Sequence, residues 1–220
     1  MLNRLKAPRL FWMWGLCSFV LVAGAQAQSA QEIAARVEGH YNHLHSLRVF
    51  FTESYHGMGM NREESGTLML EKPGKMRWEY SQPAGKLFVM DGQYAYSYAP
   101  GDGQIQRIPA KALDDMRSPL RLLLGRTRLT KELVGLTATP AGNGLWRLSG
   151  SPAAGEKRVE SVALLADATG AIASLEIHQS DGAVTSFEFK SEQPNARIEE
   201  KAFHMQAPVG IPIVDAKSPL

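Results

Sequence analysis

The chain has 220 residues, 44% hydrophobic and 21% charged, with 24 Lys and Arg against 22 Asp and Glu and a single cysteine, Cys17. Three basic residues lie in the first 27, so the remainder carries 21 basic against 22 acidic side chains, a formal charge of −1. A chain so balanced, and free of cysteine after residue 27, gives no electrostatic case for nucleic-acid binding and excludes disulfides and thiolate metal sites beyond that point.

The N-terminus places Arg4, Lys6 and Arg9 before an apolar stretch from Leu10 to Ala25 and ends it at Ala25-Gln26-Ala27, the small-x-small pattern of a signal-peptidase site. Cleavage is predicted after Ala27, leaving residues 28–220 as one exported domain. A retained anchor is the alternative. Against it, the apolar run is broken by Gly15 and Gly24 and falls short of the roughly 20 residues that span a bilayer. Lipidation at Cys17 would need a small-residue box before it, which Trp14-Gly15-Leu16 fits poorly.

Ser29 and Glu32 have the spacing of a capping box, and Ile33, Val37, Tyr41 and Leu44 recur at helical intervals, predicting an amphipathic helix that ends near His45. From Leu47 the period changes to two, with Leu47, Val49, Phe51 and Tyr55 on one side and Phe50 and Thr52 on the other. Gly57 to Asn61 reads as a turn. Between Gly66 and Gly92 three short strands form a meander, in which Leu68 and Leu70, then Met76, Trp78 and Tyr80, share one face while Arg77 and Glu79 point away. Lys72-Pro73-Gly74 must be a turn, since proline removes a ladder donor and glycine tolerates positive φ.

Tyr94, Tyr96 and Tyr98 alternate with small residues, and Pro100-Gly101-Asp102-Gly103 turns the chain toward a strand over Ile105 to Ile108. From Pro109 to Lys131 the pattern is helical, with Leu113, Met116, Leu120, Leu123 and Leu124 among Arg117, Arg121, Arg126 and Arg128. Asn143-Gly144, Asp167 to Gly170 and Asp181-Gly182 then mark turns between strands centred on Leu136, Leu148, Val162, Ile177 and Phe187. The count is about ten strands with two helical insertions, too many for a sheet to stay flat. A sheet that curls has a concave side.

Enzyme motifs are absent: no GxSxG elbow, Walker loop or HExxH, and no cysteine nucleophile after the leader. His40, His43 and His45 cluster at the end of the first helix. His45 is poorly placed relative to the other two, no carboxylate or cysteine signature accompanies them, and histidines there suit the helix dipole. Asp114-Asp115 reads as the start of the second helical segment rather than as an acid–base pair. No metal or other cofactor is expected.

KPGKMRWEY, followed by Gln82-Pro83 and LFVMDGQYAYSY, resembles the core signature of the LolA family of periplasmic lipoprotein carriers. A SPLRLLLG segment (Ser118 to Gly125) and a terminal FHMQAPVGIPIVD segment (Phe203 to Asp215) are similar to that family's lid helix and closing strand, in the same order. The resemblance implies a mainly β fold with a helical lid (α+β): an unclosed antiparallel β-barrel covered by short helices, with an apolar cavity between. It implies that Phe51, Leu68, Leu70, Met76 and Trp78 line the wall and that Leu120, Leu123 and Leu124 face them from the lid. The bland alternative is that these are ordinary core residues, which spacing does not separate from a lining.

The family carries a basic residue, usually arginine, before the turn proline, where it bonds lid carbonyls and holds the closed state. Here that position is Lys72, which lacks arginine's planar fork and puts the latch in question. Arg77 matches the family's arginine beside the tryptophan, and its sequence context reads as a solvated, outward charge. The implied partners are acylated lipoproteins as cargo, an inner-membrane transporter of the LolCDE type and an outer-membrane acceptor, with the carrier itself a monomer. A carrier of another lipid or glycolipid, a lipid-sensing regulator and a lipid-directed enzyme are the rival readings.

Overall fold

The computed structural model describes residues 29–114, 128–153 and 158–216. The expected signal peptide and the lid leucines Leu120, Leu123 and Leu124 lie outside these residues, as do Arg117 and Asp115. Helix α1 runs over Ala30–His43 and starts where its capping box predicts: the Glu32 amide donates to Ser29 Oγ, 3.2 Å, and the Ser29 amide to Glu32 Oε2, 3.1 Å. Leu44 turns extended and stops it, two residues before the expected end. Ile33, Ala34, Val37 and Tyr41 form its buried stripe.

The strands are β1 (Ser46–Gly57), β2 (Met60–Glu71), β3 (Lys75–Gln82), β4 (Leu87–Asp91), β5 (Tyr94–Tyr98) and β6 (Ile105–Pro109). Short helices α2 (Lys111–Asp114) and α3 (Leu129–Glu132) follow, and then β7 (Leu133–Gly142), β8 (Leu145–Pro152), β9 (Val159–Ala166), β10 (Ile172–Gln179), β11 (Val184–Pro194) and β12 (Ile213–Asp215). The described residues thus hold twelve strands rather than about ten. Of the helix expected from Pro109 to Lys131, only these two short ends fall among them.

All twelve strands belong to one sheet, ordered β12-β6-β5-β4-β3-β2-β1-β11-β10-β9-β8-β7. Every pairing is antiparallel except β12 with β6. The sheet is an unclosed barrel whose ends are β7 and β12, and α1 lies across it beside β7 and β8. Period two sets the inner face: Leu47, Val49 and Phe51 are buried on β1 while Phe50 between them is 51% exposed. Opposite them on β2 stand Leu70, Leu68 and Gly66. Gly66 marks a register shift against β3, where a Cβ would lie 2.1 Å from the Glu79 carbonyl oxygen, so no larger residue fits.

After β11 the chain crosses the outer face. A 3-10 turn over Glu200–Phe203 seats the fully buried Phe203 against β3 and β4. Arg77, on the side of β3 away from Trp78, pairs with Glu79 at 2.9 Å and donates to the Ala202 carbonyl at 3.2 Å. Its side chain is only 15% exposed. The expectation of a solvated charge is therefore corrected, because a partner 125 residues away covers the guanidinium. β12 then lies against β6, with Arg107 Nε 2.7 Å from Asp215 Oδ1.

Candidate functional site

The inner face carries a continuous apolar wall. Phe51, Leu68, Leu70, Met76 and Trp78 are all buried in one cluster with Ile33, Val37 and Tyr41 of α1 and with Leu44 just after it. Fully burying each such side chain contributes about 1.5–3 kcal/mol. At the wall's centre the Trp78 ring meets Phe51 edge-on at 4.6 Å and Phe187 at 5.8 Å, Phe51 meets Tyr80 at 5.1 Å, and Phe187 stacks on Phe189 at 6.2 Å. The indole N–H donates to Met76 Sδ at 3.0 Å. Sequence periodicity brought Phe51 and Trp78 to this face, but Phe187 and Phe189 join them only through the pairing of β1 with β11.

Helix α1 is fastened at its C-terminal end, where the last carbonyls lack partners within the helix. The Lys72 ammonium, projecting from the β2–β3 turn, donates to the Tyr41 carbonyl and, at 3.4 Å, to that of Asn42. A cation at that end also suits the helix dipole, and burial lowers the Lys72 pKa. On the other flank, Tyr41 Oη donates to Glu192 Oε2 at 3.0 Å and accepts from the Ile172 amide at 3.0 Å, while His40 Nε2 lies 2.6 Å from Glu192 Oε1. Burial first, and the Glu192 charge next, raises the Tyr41 phenol well above its ordinary range. The hydroxyl stays protonated and serves as a structural clasp.

The three histidines do not converge. His40 is taken by Glu192, His43 Nδ1 lies 2.6 Å from the Gly39 carbonyl, and His45 takes part through its backbone amide, bonded to Asn195 Oδ1 at 2.8 Å. Among the described residues no group of three histidine, cysteine or acidic side chains is placed to hold a metal ion.

Toward the opposite end of the wall the inner face turns polar. Glu53, two residues beyond Phe51, stands directly across from Glu64 on β2 and from Phe187 on β11. Glu64, 7% exposed, is paired with Lys86 at 2.5 Å and with Arg62 at 3.5 Å. Glu53 accepts from Tyr80 Oη at 3.3 Å, and Lys86 lies 4.2 Å from the centre of the Tyr80 ring. Burial, followed by the Glu64 charge, raises the Glu53 pKa. The native state therefore binds this proton more tightly than the unfolded chain, and stability falls as pH rises through its titration. Sequence reading passed over this cluster because it followed apolar residues only, although alternation from Phe51 already puts Glu53 on the same face.

An open, curled antiparallel sheet with an apolar inner wall and a helix fastened across it defines a class of unclosed-barrel proteins. A conserved protein of unstated function from Thermus thermophilus shares the fold, with a TM-score of 0.53 at 16% identity over 86% of this chain and 100% of that one. The chain belongs to the LolA family: the model of the outer membrane lipoprotein carrier protein LolA matches residues 44–206. It is 30% identical over 152 residues to an outer-membrane lipoprotein carrier protein of Nitrosospira multiformis, covering 68% of this chain and 72% of that one. It is 28% identical over 206 residues to that of Cupriavidus necator, covering 90% and 93%.

Proposed function

We propose that this protein is a periplasmic carrier that takes the acyl chains of lipoproteins released from the inner membrane and delivers them to the outer membrane. Residues 28–220 would form the mature carrier, with the leader cleaved after Ala27. The observation that supports this reading best is the unbroken apolar inner wall centred on Phe51 and Trp78 beneath a helix held by a few polar contacts, in a chain of the LolA family. Leu120, Leu123 and Leu124 would complete the cover. The work is non-enzymatic and needs no cofactor.

Energetics dictate how such a carrier operates. At about 0.8 kcal/mol per buried CH₂, one typical acyl chain contributes roughly 10 kcal/mol, and two or three would exceed the practical ceiling on noncovalent affinity. Cargo therefore passes from one apolar environment to another, received from a transporter of the LolCDE type and handed to an outer-membrane acceptor, with the carrier monomeric between them. Protein purified from periplasm under mild conditions should retain triacylated lipoprotein, identified by mass spectrometry of the bound fraction. Recovery of a glycolipid or another lipid instead would reassign the cargo on the same fold.

Lys72 is the latch in this scheme. Lys72→Ala removes the donations to the Tyr41 and Asn42 carbonyls, and a charge-assisted bond contributes about 1.5–3 kcal/mol when buried, less here because the ammonium is partly solvated. Hydrogen exchange in the last turn of α1 should accelerate by about tenfold while global stability changes little. Lys72→Arg should restore protection. Equal exchange in all three proteins would show that the ammonium holds nothing closed.

A further inference from the structure

The mixed-charge cluster at the far end of the wall has no role in holding α1. Placing two carboxylates directly opposite each other across β1 and β2 is destabilising, and half-burying one of them adds to that cost. The compensation is uneven. Lys86 and Arg62 both pair with Glu64, whereas among the described residues no cation lies within ion-pair distance of Glu53, whose one hydrogen bond comes from the neutral Tyr80 hydroxyl. Burial and the Glu64 charge raise the Glu53 pKa, while the Lys86 and Arg62 charges and the Tyr80 hydrogen bond act in the opposite direction.

Position turns this cost into a chemical preference. Glu53 adjoins Phe187 and follows Phe51 on the inner face, four residues before the β1–β2 hairpin at Gly57, so it stands where hydrocarbon contact ends. α1 and Lys72 occupy the opposite end. Acyl chains lying along Trp78 and Phe51 would bring their polar head to the hairpin end, beside Glu53. An anionic head there would meet the Glu53 carboxyl, with Lys86 and Arg62 drawn toward Glu64. A head bearing N–H donors would meet a carboxyl oxygen able to accept them.

We infer that Glu53, positioned by Tyr80 beside the Glu64–Lys86 pair, is a specificity-determining residue that accepts N–H groups at the head of an acylated peptide and turns away lipids with anionic heads. This deepens the carrier reading and rests on it. In a periplasm bounded by phospholipid, such exclusion separates cargo from membrane by head-group chemistry, which a purely apolar wall does not do.

The test is competition between a triacylated, C-terminally amidated lipopeptide without charged side chains and phosphatidylglycerol of matched chain length, with bound lipid counted by mass spectrometry. The wild type should favour the lipopeptide. In Glu53→Gln, which keeps an acceptor but removes the acid, and in Glu53→Leu, which removes both, the preference should fall by about tenfold or more, equivalent to about 1.4 kcal/mol. The glutamine variant should lose it through gained phosphatidylglycerol, and the leucine variant should also lose lipopeptide. Urea unfolding reports folding, and Glu53→Gln should be no less stable than the wild type. An unchanged preference in both variants overturns the role of Glu53 and leaves the carrier reading intact. A wild type that binds neither lipid overturns both.

Discussion

A valine at position 170 is expected to cost about 3 kcal/mol or more and to lift α1 off the sheet. Gly170 sits in the β9–β10 turn at φ +92, a region a β-branched residue essentially never adopts. Space is denied as well: a Cβ there would lie 2.4 Å from the Arg36 carbonyl oxygen and 3.0 Å from the Val37 amide nitrogen, both backbone atoms of α1. A helix backbone does not yield as a side chain does, so the whole of α1 must move, drawing Tyr41 from Glu192 and the Ile172 amide.

Gly182→Val supplies the control. That residue has φ +84 and nothing within 4 Å of where a Cβ would stand, so only the backbone cost applies, about 1–3 kcal/mol. Urea unfolding of the two variants, with hydrogen exchange along α1, separates the contributions. The docked-helix interpretation requires Gly170→Val to fall well below Gly182→Val and to lose protection selectively in α1. Equal losses would mean that the turn does not seat the helix.

Local chemistry explains which parts of this architecture sequence reveals. The capping box at Ser29 and Glu32, the alternation of Leu47, Val49 and Phe51, and the Lys72-Pro73-Gly74 turn each involve residues a few positions apart, and each takes its expected form. Contacts over long separations are invisible to periodicity. Tyr41 and His40 meet Glu192 from about 150 positions away, and Arg77 meets Ala202 from 125. β12 escapes a count of alternating segments because it has three residues and depends on β6 for its position. The Lys72 contact to helix carbonyls came into view through family resemblance, since one lysine before a proline carries no information about which helix it will reach.

Glu53 and Glu64 teach a different lesson. Alternation places each on the inner face of its own strand, yet only register shows that the two are opposed, and only Lys86, in the turn after β3, shows which one is neutralised. A hydrophobic pattern marks where the wall runs. It is silent on where the wall stops and what chemistry begins there.

Trp78→Ala should both weaken the fold and abolish the protection that cargo gives it. Truncating a buried tryptophan costs about 3–5 kcal/mol, and here it would strip the edge contacts to Phe51 and Phe187 and the indole donation to Met76. That loss alone does not separate a lining residue from a core residue. Ligand linkage does: a lipopeptide held at 100 times its Kd stabilises the wild type by about 2.7 kcal/mol, whereas a protein that no longer binds gains nothing. Urea midpoints measured with and without the triacylated lipopeptide should therefore separate in the wild type and coincide in Trp78→Ala. A comparison truncation, Phe203→Ala, removes a fully buried aromatic from the outer face, where no cargo would lie. Its midpoint should fall by a similar amount yet still respond to lipopeptide. If both variants respond as the wild type does, Trp78 belongs to the packed interior and the cargo lies elsewhere.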